Sequence, residues 1–113
     1  MKPCWLLLSP LALAGCAVAY SAPSSEEVKR LRDTRDACLM QNAVTLDDYR
    51  SPPSAIAVNV VAACQRQNDA IISAIAGPDG FRRSEISRQV EQDSQQAATQ
   101  YVLSHRAARS VRR

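Results

Sequence analysis

The residues of this chain that could do chemistry include two adjacent carboxylates. Asp47 and Asp48 stand in a short segment that ends in two prolines. A catalytic pair of carboxylates needs a cleft and two different environments to separate the pKa values, and a calcium ion needs six or more oxygen ligands. The surrounding sequence supplies neither pattern. We therefore interpret both aspartates as part of a turn that flanks a helix.

The single histidine, His105, has no neighbour in the sequence that would make it a proton shuttle, and we expect it to be structural or solvent-facing. No serine, cysteine or lysine has the partners of an activated nucleophile. One histidine without any Cys-x-x-Cys spacing does not match a metal site. The sequence accordingly predicts a protein that is not an enzyme and has no cofactor and no bound metal.

The C-terminal region is the more informative part, because its last twenty residues carry four arginines and no acidic side chain. The guanidinium fork of arginine matches phosphate and carboxylate groups. The alternative is a solvated helix end, whose cations only favour the helix dipole. The candidate anion contacts are Arg106, Arg109, Arg112 and Arg113.

The most specific motif is Leu13-Ala14-Gly15-Cys16, which follows an apolar run and a single basic residue near the N-terminus. That order is typical of a secretory signal. The motif resembles the lipobox of bacterial lipoprotein precursors. The resemblance implies a signal peptide over 1–15, cleavage before Cys16, lipidation of its thiol, and a lipidated anchor and tether over 16–23.

The same resemblance implies a location. Ala17 follows the cysteine, in place of the aspartate that favours retention in the inner membrane of Gram-negative bacteria. The implied site is the outer membrane facing the periplasm, with attachment to the membrane through the lipid. For the arginines we then expect anionic lipid, lipopolysaccharide or peptidoglycan and no nucleic acid, beside a protein partner that the sequence does not identify.

A second reading of the N-terminal region stays open. Ala17-Val18-Ala19 satisfies the small-x-small rule of the ordinary signal peptidase. Cleavage after Ala19 would remove Cys16 and release a soluble periplasmic protein, either chaperone-like or an inhibitor. The two alternatives differ in whether the mature chain keeps the cysteine.

The predicted export also determines which cysteines remain in the mature chain and can pair. In the lipoprotein interpretation Cys4 is removed with the signal peptide and Cys16 carries the lipid, so Cys38 and Cys64 are the cysteines that remain. Two thiols of an exported chain most often pair, because the periplasm is kept oxidising. We predict a structural disulfide between them. The alternative is two buried free cysteines that act as small apolar residues.

Composition favours helices, since 46% of the residues are hydrophobic, only 4% are aromatic and three are glycines. The spacing of Ser24 and Glu27 is that of a capping box, which begins the first helix; this helix runs to about Ala43 or Leu46. An apolar stripe from Ile56 to Ile75 predicts a second helix, buried at its centre. The net charge of +3 indicates no class of partner.

A third helix is predicted from about Ser84 to Arg106, and we expect it to dock only partly because its apolar stripe is thin. The residues of this stripe are Ile86, Val90, Ala97, Tyr101 and Ala108, with Ser94 and His105 at the positions between them. The fold class is thus all-α: a disulfide-linked antiparallel helical hairpin plus a third, more polar helix. The small helical domain covers 24–108 and a fraying basic tail covers 109–113. The segment from Cys38 to Cys64 loosely resembles small uncharacterised exported proteobacterial proteins with a two-cysteine helical hairpin, which implies no activity.

Overall fold

The structure is a computed structural model that describes residues 21–113. Within this range all regular elements are α-helices and no strand occurs, so the predicted all-α class is confirmed. The predicted signal peptide, Cys4, Cys16 and the alternative cleavage site predicted after Ala19 lie outside the described residues. The helices are α1 (Ser25–Leu46), α2 (Pro53–Ala63), α3 (Gln65–Ala76) and α4 (Gly80–Val111).

The start of α1 follows the prediction from the capping box. The Ser24 hydroxyl accepts a hydrogen bond from the Glu27 backbone N–H at 3.1 Å, which satisfies one free donor of the first turn. Glu26 and Glu27 lie in that turn, where carboxylates are favoured by the positive end of the helix dipole. The helix ends at Leu46 and is capped by Asp47.

The second predicted helix is in fact two helices, α2 and α3, which meet at Cys64. The Cys64 backbone has φ −105° and ψ 18°, outside the helical range. Its N–H is shared between the carbonyls of Val60 and Val61, so the last turn of α2 tightens towards a 3₁₀ turn. The prediction of one continuous helix is corrected here: the break falls on the residue that is covalently tied to α1.

The last helix is longer than predicted at both ends. The Asp79 carboxylate accepts hydrogen bonds from the N–H groups of Phe81 and Arg82, and this cap starts α4 at Gly80 rather than near Ser84. The helix then continues to Val111, so residues 109–111 are helical although we expected them to fray.

Two apolar clusters hold the helices together. The larger cluster contains Leu39 of α1, Val60 of α2 and Val102 of α4. The smaller one contains Ile71 of α3 and Val90 of α4, with Leu31 from the first part of α1 packed against it. The order of these contacts shows that α1 and α4 run in the same direction while α2 and α3 return.

The middle part of α4 packs against the other helices through a narrow stripe. Its buried positions are Val90, Ser94, Ala98 and Val102, spaced by four residues along both clusters. The Ser94 hydroxyl donates to Asn68 Oδ1 at 2.8 Å between the clusters, so even the polar position in this stripe is satisfied. A helix with a mostly polar sequence therefore packs through one narrow buried stripe in its middle part, from Val90 to Val102.

The predicted disulfide between Cys38 and Cys64 is present, with 6.0 Å between the two Cα atoms. That separation lies in the usual range for bonded cysteines. The bond joins the middle of α1 to the junction of α2 and α3, and Cys64 is fully buried beside the larger cluster. Among residues 21–113, no helix combines the length and the apolar character needed to cross a bilayer.

Candidate functional site

The connection between α1 and α2, residues 47–52, is a tightly hydrogen-bonded turn that we call the Asp47 loop. The Asp48 carboxylate accepts from the backbone N–H groups of Arg50 (2.9 Å) and Ser51 (2.8 Å) and from the Ser51 hydroxyl (2.6 Å). These hydrogen bonds, that from the Ser51 hydroxyl first, lower the pKa of the exposed Asp48 to about 2. Asp48 is therefore ionised at neutral pH and shapes the loop.

Asp47 connects this loop to α4 through a bidentate ion pair. Its side chain is fully buried, and Arg106 donates from Nη2 to Oδ1 at 2.6 Å and from Nε to Oδ2 at 3.0 Å. Arg106 Nη2 also donates to the carbonyl oxygen of Ser51 at 2.8 Å. One guanidinium therefore holds both ends of the loop against α4.

Opposing effects act on the pKa of Asp47, and the hydrogen bonds from Arg106 outweigh the others. Asp47 lies at the negative end of the α1 dipole and is buried, and each of these effects disfavours a carboxylate. Even so, the hydrogen bonds from Arg106 keep the pKa of Asp47 below its ordinary value. The pKa of Arg106 is raised by the same hydrogen bonds. Both groups are charged at neutral pH, and the pair is a structural clamp.

Tyr49 adds two further contacts between the loop and α4. Its backbone φ is 59°, a left-handed conformation that non-glycine residues seldom adopt. Its hydroxyl lies 2.6 Å from His105 Nε2, and the guanidinium carbon of Arg109 lies 3.9 Å from the centre of its ring. The half-buried His105 of α4 therefore contacts the Asp47 loop through the Tyr49 hydroxyl.

These contacts create a surface groove at the end of the helical body, which we call the basic groove. The basic side chains that form ion pairs among the described residues are Lys29, Arg35 and Arg106. Of these, Arg106 lines the groove. The other arginines that line the groove are exposed residues, so an external anion can reach them. The residues that line it are Asp48, Tyr49, Arg50, Arg106, Arg109, Ser110 and Arg113.

The four arginines predicted as anion contacts therefore differ in their surroundings. Arg106 is held by Asp47, so an external anion would compete with an internal carboxylate. Arg109 and Arg113 are exposed in the groove, and the exposed Arg112 caps the end of α4. Sequence reasoning missed Arg50, because nothing in a single sequence shows that the Asp47 loop meets the last turns of α4.

The groove presents the guanidinium donors of its arginines, which can bind an anion, while the ring of Tyr49 supports one of these guanidinium groups. Over residues 21–113, no three His, Cys, Asp or Glu side chains cluster in a way that could hold a metal ion. No protein-family model, curated protein sequence or solved structure matches the chain.

Proposed function

We propose that this protein is a non-catalytic envelope lipoprotein that binds an anionic component of the envelope through its basic groove. The observation that supports this most is the arrangement of Arg50, Arg109 and Arg113. All three are exposed and line one groove. They come from two separate elements, which the buried clamp between Asp47 and Arg106 holds together. Such preorganisation lowers the entropic cost of binding an anion.

The scaffold in this proposal is the disulfide-linked hairpin with a third, more polar helix. α1 forms one arm, α2 with α3 forms the returning arm, and α4 is the third layer that carries most of the groove. The bond between Cys38 and Cys64 fixes the two arms relative to each other. The domain then acts as a rigid support for the Asp47 loop.

The anchor in this proposal is a lipid on Cys16, supported by the lipobox-like residues before it. Acyl chains contribute about 0.8 kcal/mol per buried methylene, so several chains hold a protein firmly to a bilayer. Cys16→Ser should abolish acyl labelling and membrane retention together. A wild-type chain that fractionates as soluble, with Tyr20 as its first residue, would contradict the anchor.

Anion binding is tested by co-sedimentation of the purified protein with isolated envelope fragments in low and high salt. The triple variant Arg50→Gln/Arg109→Gln/Arg113→Gln should bind about tenfold more weakly in low salt, since each exposed charge contributes a fraction of a kcal/mol. The matched control is Arg32→Gln/Arg66→Gln/Arg88→Gln, which removes the same charge from exposed positions elsewhere. Equal loss in both variants would mean that only net charge matters.

One observation favours the soluble chaperone-like alternative. Met40 and Val44 lie on the outer side of α1 and are 51% and 49% exposed, beside Ala37 in a shallow apolar groove. Exposed apolar side chains of this kind can hold an unfolded segment. Under this alternative Met40→Gln/Val44→Gln should abolish suppression of aggregation of a reduced client protein, and Arg50→Gln should leave it unchanged.

A further inference from the structure

The basic groove and the start of α1 lie at opposite ends of the helical body. α1 begins at Ser25, directly after the segment proposed as the tether, and the Asp47 loop follows its last residue. A helix of 22 residues is about 33 Å long. Arg106 brings the end of α4 to that same loop, so every arginine of the groove belongs to the far end.

The charges at the two ends differ as well. The first nine residues of α1 carry three acidic and three basic side chains, and residues 79–85 at the neighbouring start of α4 carry two of each, so this end has no cationic excess. The groove end carries Arg50, Arg109, Arg112 and Arg113 against Asp48. The positive charge of the described residues is thus concentrated away from the tether.

This distribution is the reverse of what a protein needs to bind the bilayer that holds its own anchor. Lipidated proteins that use anionic lipid as a second signal place basic residues beside the lipid. The potential of a charged membrane surface decays within about 8–10 Å at physiological ionic strength. A groove about 33 Å from the start of α1 lies beyond that range when the body extends from the membrane.

We infer that the basic groove binds the carboxylate groups of the cell-wall polymer peptidoglycan, and not the headgroups of the bilayer that holds the anchor. This inference rests on the proposed function, because it requires both the lipid on Cys16 and an anion site. Peptidoglycan is a fixed polymer away from the membrane that carries carboxylates on its peptides. Arginine forks bind carboxylates with two parallel hydrogen bonds.

The test compares how strongly the same protein binds to two kinds of surface. The mature chain with Cys16→Ser is sedimented in low salt with peptidoglycan sacculi, and separately with vesicles that contain phosphatidylglycerol. The inference predicts binding to sacculi that falls about tenfold in Arg50→Gln/Arg109→Gln/Arg113→Gln and is unchanged in Arg32→Gln/Arg66→Gln/Arg88→Gln. Sacculi whose carboxylates have been amidated should not retain the wild-type chain.

The outcomes separate this inference from the proposed function. Groove-dependent binding to the vesicles with none to the sacculi would overturn the wall assignment and leave the anion site intact. Binding to neither surface, or equal losses in both triple variants, would overturn the anion site itself. Circular dichroism checks the fold of each variant; if the triple variant is unfolded, the exposed single substitution Arg113→Gln takes its place with a smaller expected loss.

Discussion

At the scale of single residues, the most informative contact joins Asp47 to Arg106. A carboxylate at the C-terminal end of a helix is disfavoured by the dipole, and burial adds a desolvation cost. Two hydrogen bonds from one guanidinium offset both effects. The same guanidinium also donates to Ser51, so loss of either partner should release the whole Asp47 loop.

The first prediction is that Asp47→Asn lowers the free energy of unfolding by about 2 kcal/mol, because a charge-assisted bidentate contact is replaced by weaker hydrogen bonds. Urea unfolding followed by circular dichroism measures this change. Asp93→Asn is the matched control, since Asp93 is exposed on α4. A change in Asp47→Asn no larger than that in Asp93→Asn would show that the clamp does not stabilise the fold.

The second prediction concerns pH. The folded-state pKa of Asp47 lies below its ordinary value of about 3.9. The stability that this group contributes is therefore fully present above that ordinary value, and it is lost as the pH falls through the lower folded-state value. Asp48, with a pKa of about 2, acts in the same direction.

Unfolding curves measured between about pH 5 and pH 2 should show a steeper loss of stability in the wild-type chain than in Asp47→Asn. The comparison depends only on the slope, so any general effect of acid cancels between the two proteins. Parallel curves would mean that Asp47 titrates as it does in the unfolded chain, contrary to the geometry of the ion pair.

At the scale of helices, the parts that followed from sequence are those with local causes. Ser24 starts α1 by a side-chain hydrogen bond, and Gly77, with φ 59°, marks the end of α3. No glycine or proline lies at the break at Cys64, so no local signal in the sequence predicts it. It lies where the disulfide joins α1, and a repeat of apolar residues passes through it without interruption.

The register of α4 shows a similar limit. The predicted stripe included Ala97 and Tyr101, which are only partly buried, whereas Ala98 and Val102 are fully buried. In a helix rich in small and polar residues, neighbouring stripes differ little in hydrophobicity, so tertiary packing decides between them. The arginines that the groove takes from the end of α4 were predicted from the sequence. Arg50 was not, because its position beside them depends on the fold.

The third prediction concerns the disulfide. Cys38→Ser/Cys64→Ser should lower the free energy of unfolding by about 3.5 kcal/mol, the loop-closure entropy for the 26-residue separation. Differential scanning calorimetry measures it, and reduction of the wild-type chain should give the same shift. If the variant melts at the wild-type temperature, the packing of α1 against α2 and α3 does not depend on the bond.

The fourth prediction concerns the end of α4. Deletion of residues 110–113 removes only exposed side chains, so the melting temperature should change little. Binding to anionic envelope components in low salt should weaken, because Arg113 leaves the groove. A large fall in melting temperature would show instead that the last turn is part of the packed structure.

At the scale of the whole molecule, a short helical body carries the basic groove at one end and, in the proposed function, a lipid at the other. A chain of eight residues, the length of the proposed tether over 16–23, can span at most about 28 Å. With α1 about 33 Å long, the groove meets its own membrane only if the body lies flat. Function under this account depends on the upright arrangement, in which the groove reaches away from the bilayer.

The last prediction measures that arrangement. The lipidated protein is reconstituted in vesicles with an acceptor-labelled lipid, and a donor dye is attached at Ser110→Cys beside the groove or, as the control, at Ser25→Cys beside the tether. Both serines are exposed. The account predicts strong energy transfer from position 25 and weak transfer from position 110, because the two lie about 33 Å or more apart along α1. Equally strong transfer from both positions would place the groove against the membrane and contradict the account.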